Sequence, residues 1–535
     1  MARYQEAFSQ LDQCLKERMQ AYHTPALVMA LTGRDHLVRL AAYGCANLDV
    51  KTPVQEDHPF AIGSIGKSFT ALAILQACEQ GLLDLHAPVT TYLPWFEVRS
   101  KFAPVTSHHL LTHSAGLPRG TDFAPDPRSE VYALRDLEVG FAPGTHFSYS
   151  DVGYKALGLV LEAATGKSYA RFIRENILAP LEMNDTYAET TSALRTRMPV
   201  GYRNLYDDRP SHPSHPLVPA DWVETNSGDG CIVSTAGDMA KVARMLLNHG
   251  VGPHGPLLSP ASFGRMFKPM IEDDGEVYSY GLYLFEDDGY RIAGHGGDVP
   301  GYESYMWLDL DNGMGAVVLM TQPSTPRASF LALEYLRAGY LGLPLPDRPP
   351  LPDFTHISLP EDYAGEYHST SCSLTLEAKA HHLFLMCGDQ RVALEARSMD
   401  NFYANHPDWD RYLLRFERGE DKKVHGVTYG PHWLYNQRWQ GPTTFETPPD
   451  WQAYAGHYRA HDPWSTNFRV FPRKGQLILA WPTGDEEVLV PLGSGCFRIG
   501  EEEYIPERLS FDQIVDGQAL RAVRSGCPYY RFFTP

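Results

Sequence analysis

Ser64 and Lys67 form the pair of side chains in this sequence best suited to chemistry. A strand-like approach ends at Gly63 and a helix is predicted to follow, so Ser64 lies in the first helical turn. Free backbone N–H groups and the helix dipole favour a developing oxyanion there. Lys67 shares the helix face of Ser64, and burial in an apolar helix start lowers the pKa of an amine, which lets it accept a proton. The pair predicts nucleophilic catalysis, with a simple N-cap serine as the alternative.

Two further segments place polar side chains beside turns. Tyr149 precedes a predicted helix, and a phenol at such a turn relays protons where a cation lowers its pKa. His295 lies on a late strand and is followed by Gly296 and Gly297, which let a substrate lie flat against the strand edge. Each residue taken alone also has a simpler structural interpretation. Tyr149 is then an aromatic residue packed under a loop, and His295 is a core histidine beside a turn.

Composition narrows the class of protein. The chain has 535 residues, which predicts two to four domains, and its 43% hydrophobic and 21% charged residues are typical of globular proteins. A net charge of −19 repels phosphate backbones and anionic membranes, so neither nucleic acid nor a membrane is an expected partner. The N-terminus predicts an amphipathic helix rather than a secretion signal, and the eight cysteines lack metal-type spacing. We therefore expect a cytoplasmic protein with reduced thiols and no metal.

The first 340 residues mix strands and helices. An early hairpin is predicted at 26–31 and 37–42. Three helices are predicted at 68–81, 155–164 and 236–248, and three late strands at 290–293, 304–309 and 316–321. Strands at both ends with helices between them predict an α/β (α+β) domain over 1–340, built on one antiparallel sheet flanked by helices.

The remainder of the chain predicts two β domains. Six prolines fall between Leu341 and Pro360, and a second proline-rich break follows Gly441. Directly after each break comes a similar phrase, Tyr-Ala-Gly-Glu-Tyr at 363–367 and Tyr-Ala-Gly-His-Tyr at 454–458. Short alternating strands fill both segments. We predict two antiparallel β-barrels, at 351–445 and 446–535.

Taken together, these motifs resemble the signature of the serine β-lactamase and penicillin-recognising hydrolase superfamily. That signature is S-x-x-K, then Y-x-N, then a [KHW]-x-G triplet, and the chain offers Ser64 with Lys67, Tyr149 and His295 in that order. Supporting phrases that also look familial are Leu110–Pro118, Pro180–Met183 and Ser234–Met239. The resemblance covers about 1–340 and implies a β-lactamase-like fold.

The resemblance implies acyl transfer in two steps. Ser64 attacks an ester or amide carbonyl while Lys67 and Tyr149 take its proton. The backbone N–H groups of Ser64 and Asp298 form the implied oxyanion hole, and Gly296 and Gly297 line the substrate strand. Water or another nucleophile then releases the acyl group, with no metal or organic cofactor.

Two residues depart from the family pattern. His295 stands where lysine is usual, and a largely neutral histidine holds a substrate carboxylate less well, which favours neutral esters, amides and amines. Asp151 replaces the usual asparagine, and a carboxylate near Lys67 raises the pKa of that amine. Either Tyr149 therefore carries more of the base role, or Asp151 receives the ammonium group of a substrate.

The layout is similar to that of bacterial D-aminopeptidases, which carry two β-barrel domains after the catalytic domain and use a His-Gly-Gly triplet. In those enzymes a loop of the last domain reaches toward the active site, and the segment around Asp485 is similarly placed between two strands. A substrate contact for Asp485 is one interpretation, and a solvated acidic turn is the other. The barrels themselves either cap the active site or build a homodimer.

Three functions remain open from the sequence. The first is a D-aminopeptidase-like hydrolase that cleaves small peptides, amides or esters. The second is an esterase or acyltransferase, because the same acyl-enzyme accepts esters and alcohols. The third is a penicillin-binding protein that acylates and then stalls.

Overall fold

The computed structural model describes residues 2–121, 126–370, 372–493 and 495–532. The chain forms two compact units, each discontinuous in sequence. The first unit comprises Met1–Arg203, Leu217–Leu351 and Glu503–Pro506, and the second comprises Asn204–Pro216, Pro352–Glu502 and Glu507–Pro535.

The α-helices of the described residues are α1 (Ala2–Tyr22), α2 (Gly66–Glu79), α3 (Ser107–Leu111), α4 (Pro127–Ala133), α5 (Asp151–Thr165), α6 (Tyr169–Ile173), α7 (Ala236–Leu247), α8 (Pro260–Met266), α9 (Ala328–Leu341) and α10 (Trp451–Tyr454). The strands that precede the barrels are β1 (Ala26–Thr32), β2 (Leu37–Asn47), β3 (Thr52–Pro53), β4 (Phe60–Ala61), β5 (Tyr202–Asn204), β6 (Leu217–Pro219), β7 (Val233–Ser234), β8 (Val251–Gly252), β9 (Gly255–Pro256), β10 (Ile271–Asp273), β11 (Glu276–Tyr278), β12 (Tyr283–Asp287), β13 (Tyr290–Val299), β14 (Tyr302–Asp309) and β15 (Met314–Thr321).

A nine-stranded antiparallel sheet forms the centre of the first unit, in the order β10-β11-β12-β13-β14-β15-β1-β2-β3. Strand β1 is buried on both faces, because its side chains alternate between two cores. Val28 and Ala30 pack with residues of α2, α5 and α7, and Leu27 and Met29 pack with residues of α1 and α9. The predicted class, one antiparallel sheet flanked by helices, is confirmed.

Several element boundaries differ from those predicted, and two of them lie next to Ser64 and His295. Helix α2 begins at Gly66 rather than Ser68, since the turn that carries Ser64 leads directly into it. Strand β13 extends to Val299, whereas the sequence predicted an end at Ala293. Gly296 and Gly297 stay paired with β14, and the pairing continues to Val299 opposite Tyr302, so His295 lies within the sheet.

The second unit contains two closed eight-stranded barrels, as predicted. The strands of the first barrel are β16 (Gly365–His368), β17 (Ser373–Lys379), β18 (His382–Cys387), β19 (Gln390–Ser398), β20 (Asn401–Ala404), β21 (Leu414–Arg418), β22 (Val424–Tyr429) and β23 (His432–Tyr435). Those of the second are β24 (Gly456–Arg459), β25 (Asn467–Arg473), β26 (Gln476–Ala480), β27 (Glu486–Gly493), β28 (Cys496–Ile499), β29 (Arg508–Val515), β30 (Gln518–Arg524) and β31 (Cys527–Arg531).

The repeated Tyr-Ala-Gly phrase makes the same contact in both barrels. The buried hydroxyl of Tyr367 donates to the carbonyl of Tyr363 at 2.8 Å, and that of Tyr458 donates to the carbonyl of Tyr454 at 2.8 Å. Each tyrosine pair thus fixes the entry to the first strand of its barrel, which explains why both residues recur in each copy.

Residues 204–216 belong to the second unit although both neighbouring stretches of chain belong to the first. Asp208 pairs with Arg469 at 3.1 Å, and Arg209 pairs with Asp410 at 2.8 Å. Asp207 pairs in addition with Arg459. This acidic segment is therefore tied to both barrels by ion pairs.

Candidate active site

Ser64 and Lys67 lie at the turn that opens α2. Residues Gly63–Ile65 form one 3-10 turn directly before the helix. The Nζ atom of Lys67 donates a hydrogen bond to the Oγ atom of Ser64 at 2.8 Å. The structure therefore places the amine against the hydroxyl, with the hydroxyl partly accessible and the amine fully buried.

Three acceptors surround the ammonium group of Lys67. Besides Ser64, Nζ donates to Oδ1 of Asp151 at 2.7 Å and to the backbone carbonyl of Asp229 at 2.8 Å. Burial alone lowers the pKa of Lys67, but nearby negative groups, above all Asp151, raise it above its usual value. The net pKa of Lys67 thus lies in the direction expected from Asp151 and opposite to the direction expected from burial alone.

Tyr149 lies just before α5 and faces the same lysine. The Nζ atom of Lys67 is 4.9 Å from the centroid of the Tyr149 ring. Burial raises the pKa of Tyr149, whereas the charge of Lys67 and hydrogen bonding to Ser64 lower it, and the net direction is upward. The phenol is therefore protonated at neutral pH, within reach of the Ser64 hydroxyl.

Asp151 is the first residue of α5, which Ser150 caps by accepting a hydrogen bond from the Gly153 N–H at 3.1 Å. Both carboxylate oxygens of Asp151 face cations of this chain, Lys67 at 2.7 Å and the Nε atom of Arg119 at 3.7 Å. Although burial raises the pKa of Asp151, these cations lower it below its usual value. The carboxylate is thus held by Lys67.

His295 lies in β13, buried beside the same cluster. Its Nε2 atom is 3.2 Å from the hydroxyl of Tyr278, and its Nδ1 atom donates to the carbonyl of Gly296. Burial, followed by the charge of Lys67, lowers the pKa of His295 to about 3. The ring is therefore neutral at pH 7, in line with the expectation from the sequence.

The glycines after His295 let β13 approach the turn that carries Ser64. A Cβ atom on Gly297 would lie 2.0 Å from the carbonyl oxygen of Ile62, and one on Gly63 would lie 2.8 Å from the amide nitrogen of Asp298. The Asp298 amide therefore lies next to the turn that carries Ser64. The Asp298 side chain is exposed and accepts a hydrogen bond from Gln322 at 2.7 Å.

Asp485 lies in the second unit, at an exposed turn between β26 and β27. Its carboxylate accepts a hydrogen bond from Thr483 at 2.8 Å and is 3.9 Å from Arg415 of the first barrel. The segment of the last barrel that belongs to the first unit is a different one, Glu503–Pro506. There the ring of Tyr504 stacks on His146 at 4.7 Å, in the loop that leads to Tyr149.

Sequence reasoning missed three contributions to this cluster. The Asp229 carbonyl holds Lys67, and a backbone acceptor leaves no mark on residue type. Arg119 flanks Asp151, and His113 stacks on the Tyr149 ring at 4.2 Å. Both residues lie within or next to the Leu-Thr-His-Ser-Ala-Gly-Leu-Pro phrase, whose conspicuous composition was the available signal.

Among the described residues, one cluster of three acidic side chains brings carboxylate oxygens close enough together to hold a cation. The side chains of Asp287, Asp288 and Glu334 each offer one oxygen within 4.8 Å of the others. Glu334 already pairs with Arg327 at 3.2 Å, so part of its charge is balanced within the chain.

The fold and the Ser-Lys-Tyr geometry define a serine hydrolase of the penicillin-recognising type. The family described as Beta-lactamase matches residues 11–340, and the chain belongs to that family. No helix within the described part of the chain is both long and apolar enough to cross a bilayer.

Three known proteins illustrate the relationship. A penicillin-binding protein of Bacillus subtilis (strain 168) is 27% identical over 433 residues, covering 75% of this chain and 92% of that protein. Penicillin-binding protein 4 of Amycolatopsis lactamdurans is 28% identical over 315 residues, covering 56% and 81% respectively. The octameric penicillin-binding protein homologue from Pyrococcus abyssi has a similar structure, with a TM-score of 0.59, 25% identity, and coverage of 80% of this chain and 100% of that one.

Proposed function

We propose that this protein hydrolyses small amides, peptides or esters through an acyl-enzyme on Ser64. The observation that carries the proposal is the 2.8 Å hydrogen bond from the buried Lys67 amine to the Ser64 hydroxyl. Residues 1–340 are proposed to form the catalytic domain, and 351–445 and 446–535 to form two barrel domains that control access to the site or assembly.

The first step is acylation, with Tyr149 as a proton relay. Neither Lys67 nor Tyr149 is a free base at rest, because the pKa of each is raised. As Ser64 Oγ bonds to the carbonyl carbon, its proton passes to the phenol oxygen of Tyr149. The phenol proton passes in turn to the departing nitrogen or oxygen, and the bond to that atom breaks. No net charge then accumulates on Tyr149, while the Lys67 ammonium stabilises negative charge at the serine oxygen.

The amides of Ser64 and Asp298 are proposed to hold the carbonyl oxygen while it is negatively charged, and the loss of one such donor costs roughly 10²- to 10³-fold in kcat. Water then attacks the acyl carbon by the reverse route. It gives a proton to Tyr149, Tyr149 returns one to Ser64, and the acid is released.

The substrate class follows from the charge at His295. A lysine at that position would attract a substrate carboxylate, whereas a neutral imidazole does not. We therefore propose neutral or amino-bearing acyl groups, with D-aminoacyl amides as the first class to test. Because both oxygens of Asp151 face cations of the chain, the geometry favours Asp151 as the partner of Lys67 over a receptor for substrate ammonium.

Esterase or acyltransferase activity and slow penicillin-type acylation are the alternatives. The names of the two curated relatives favour including benzylpenicillin in the test. Time courses with D-alanine p-nitroanilide, p-nitrophenyl acetate and benzylpenicillin separate the three. Steady anilide turnover supports an aminopeptidase or amidase, ester turnover alone supports an esterase, and a stoichiometric adduct without turnover supports a binding protein.

Ser64→Ala tests the acyl-enzyme itself. We expect loss of turnover of every substrate and loss of the adduct mass in intact-protein mass spectrometry. A variant that keeps turnover at the wild-type rate would contradict the proposal, provided that its thermal melt matches that of the wild type.

We also propose a homo-oligomer and a cytoplasmic location. The octameric state of the Pyrococcus abyssi homologue supports the first, and the scattered spacing of the eight cysteines, without CxxC pairs, supports the second. Light scattering tests the oligomer, and a mass equal to the 60.0 kDa of one chain would contradict it.

A further inference from the structure

His113 lies directly against Tyr149, although nothing above gives it a role. The two ring centroids are 4.2 Å apart and the ring planes differ by 28°, so the rings stack. The imidazole is only 1% exposed, and the rings of Phe147, Tyr154 and Tyr278 surround it. One face of Tyr149 therefore rests on a fixed neighbour.

His113 also binds the backbone on both sides of Tyr149. Its carbonyl accepts a hydrogen bond from the Ser148 N–H at 2.8 Å, and its Nδ1 atom accepts one from the Ser150 N–H at 2.9 Å. Since Nδ1 accepts, the ring proton lies on Nε2. Three contacts from a single residue thus fix the ring of Tyr149, the residue before it and the residue after it.

This placement is energetically unfavourable for His113 itself. Its φ of 53° lies in the left-handed region, which is unfavourable for a residue with a Cβ atom. Its Nε2 atom is buried without a hydrogen-bond partner among the described residues, which leaves a desolvated donor unsatisfied. Strained and unsatisfied groups cluster at functional sites, where the surrounding structure holds them in place.

The imidazole is neutral in this setting. Burial, followed by the charge of Lys67, lowers the pKa of His113 well below its usual value. A neutral ring keeps Nδ1 available as an acceptor and adds no second positive charge beside Lys67. Besides His113, the charged and titratable groups that act on Tyr149 are Lys67, Asp151, Arg119, His295, Tyr154 and Tyr278.

We propose that His113 is a positioning residue that holds the Tyr149 phenol in the geometry needed to relay the Ser64 proton. The inference rests on the proposed function, since it assigns no chemistry to His113 itself. The inference predicts that loss of the stacked His113 ring and loss of the Nδ1 acceptor for the Ser150 N–H affect the reaction differently.

Two variants separate these contributions. His113→Asn keeps a side-chain acceptor for the Ser150 N–H and tolerates a left-handed backbone, but it removes the stacked ring. His113→Phe keeps a ring and removes the acceptor. We expect each to lower kcat by roughly 10- to 100-fold with KM within about twofold, because a displacement of about 1 Å at a reacting group costs on the order of 10²-fold.

The pH profile distinguishes positioning from a merely structural role. Burial raises the pKa of Tyr149, so removal of the ring admits water and lowers that pKa. The alkaline limb of the kcat profile should therefore move to lower pH in His113→Asn and stay in place in His113→Phe. His109→Asn is the matched control: it lies four residues away and bonds Thr106, and we expect kcat within about twofold of wild type.

The outcomes separate this inference from the proposed function. Wild-type kcat and pH profile in both His113 variants, with Ser64→Ala inactive, would overturn the role of His113 and leave the hydrolase standing. Turnover by Ser64→Ala would instead remove the proposed function. If His113→Phe does not fold, then His113→Asn decides alone, with its melting temperature as the check on folding.

Discussion

Two lysine–carboxylate pairs are buried in the first unit, and both use helix α5. Asp151 on that helix pairs with Lys67 at 2.7 Å, and Lys155 on the same helix pairs with Glu130 at 2.9 Å. The side chains of the two lysines are 0% and 3% exposed. The Lys67 amine donates to a serine hydroxyl at 2.8 Å, whereas the Lys155 amine donates to Glu130 and to the carbonyl of Thr121. Burial and ion pairing therefore do not by themselves mark a catalytic lysine; the adjacent nucleophile does.

The largest expected effect is on turnover when Lys67 is replaced. Lys67→Met removes the ammonium group beside Ser64, and we expect kcat to fall by roughly 10²- to 10⁴-fold. Steady-state kinetics on the most active substrate measure this, with circular dichroism to confirm the fold. Turnover close to wild type would show that the reaction does not need Lys67, and Lys67 would then not differ from Lys155 in function.

Lys155→Met is expected to act on stability instead. Removal of one partner breaks this buried ion pair, which costs about 3–5 kcal/mol. We expect a lower urea midpoint, with kcat of the folded enzyme within about threefold of wild type.

The double variant Lys155→Met with Glu130→Leu is the control for Lys155→Met. We expect it to recover most of the lost stability, because no lone charge stays buried. A large loss of kcat in the folded single variant would show that the two lysine pairs are not separate in function.

Asp151→Asn tests the Lys67–Asp151 pair through the pH dependence of kcat/KM. The carboxylate raises the pKa of both Lys67 and Tyr149, so its removal lowers both. If the relay needs a protonated lysine and a neutral phenol, activity is lost at high pH when either deprotonates. We therefore expect the alkaline limb of the kcat/KM profile to move to lower pH, and an upward move would contradict the assigned protonation states. The ratio of rates on free-amino and amino-blocked substrates should stay unchanged.

The smallest expected effect is at Asp485. Its side chain is 75% exposed and 3.9 Å from Arg415, and exposed ion pairs contribute about 0–1 kcal/mol. For Asp485→Asn we expect a stability change below about 1 kcal/mol and KM within about twofold. A rise of tenfold or more in KM for amino-bearing substrates would favour the substrate-contact interpretation instead.

The sequence predicted the elements of the fold well because they depend on local patterns. Alternation over 373–377 and 476–480 predicts strands, and the echoed tyrosine phrase predicts two copies of one barrel. Ser64 and Lys67 are three residues apart on one helical turn, so their contact follows from helix geometry alone.

The remaining features depend on packing between distant segments. The sequence placed Asp151 near Lys67 through a motif, yet the net direction of the lysine pKa required the observed balance of burial and charge. The stacking of His113 on Tyr149 and the carbonyl of Asp229 on Lys67 join residues far apart in the chain. The Leu110–Pro118 phrase draws attention to the segment of His113, but neither it nor any periodicity specifies the partners of these contacts.

The acidic segment 204–216 restricts exchange of the last barrel for an unrelated one. Its Asp207 and Asp208 pair with Arg459 and Arg469 of the last barrel, which are encoded some 250 residues further along the chain. Recombination at the proline-rich linker would deliver a foreign barrel without the matching acids, and loss of 446–535 would remove the barrel arginines that pair with both carboxylates, leaving Asp208 with Arg209. Exchange of the last barrel would therefore have to preserve the arginines at 459 and 469 to keep these ion pairs.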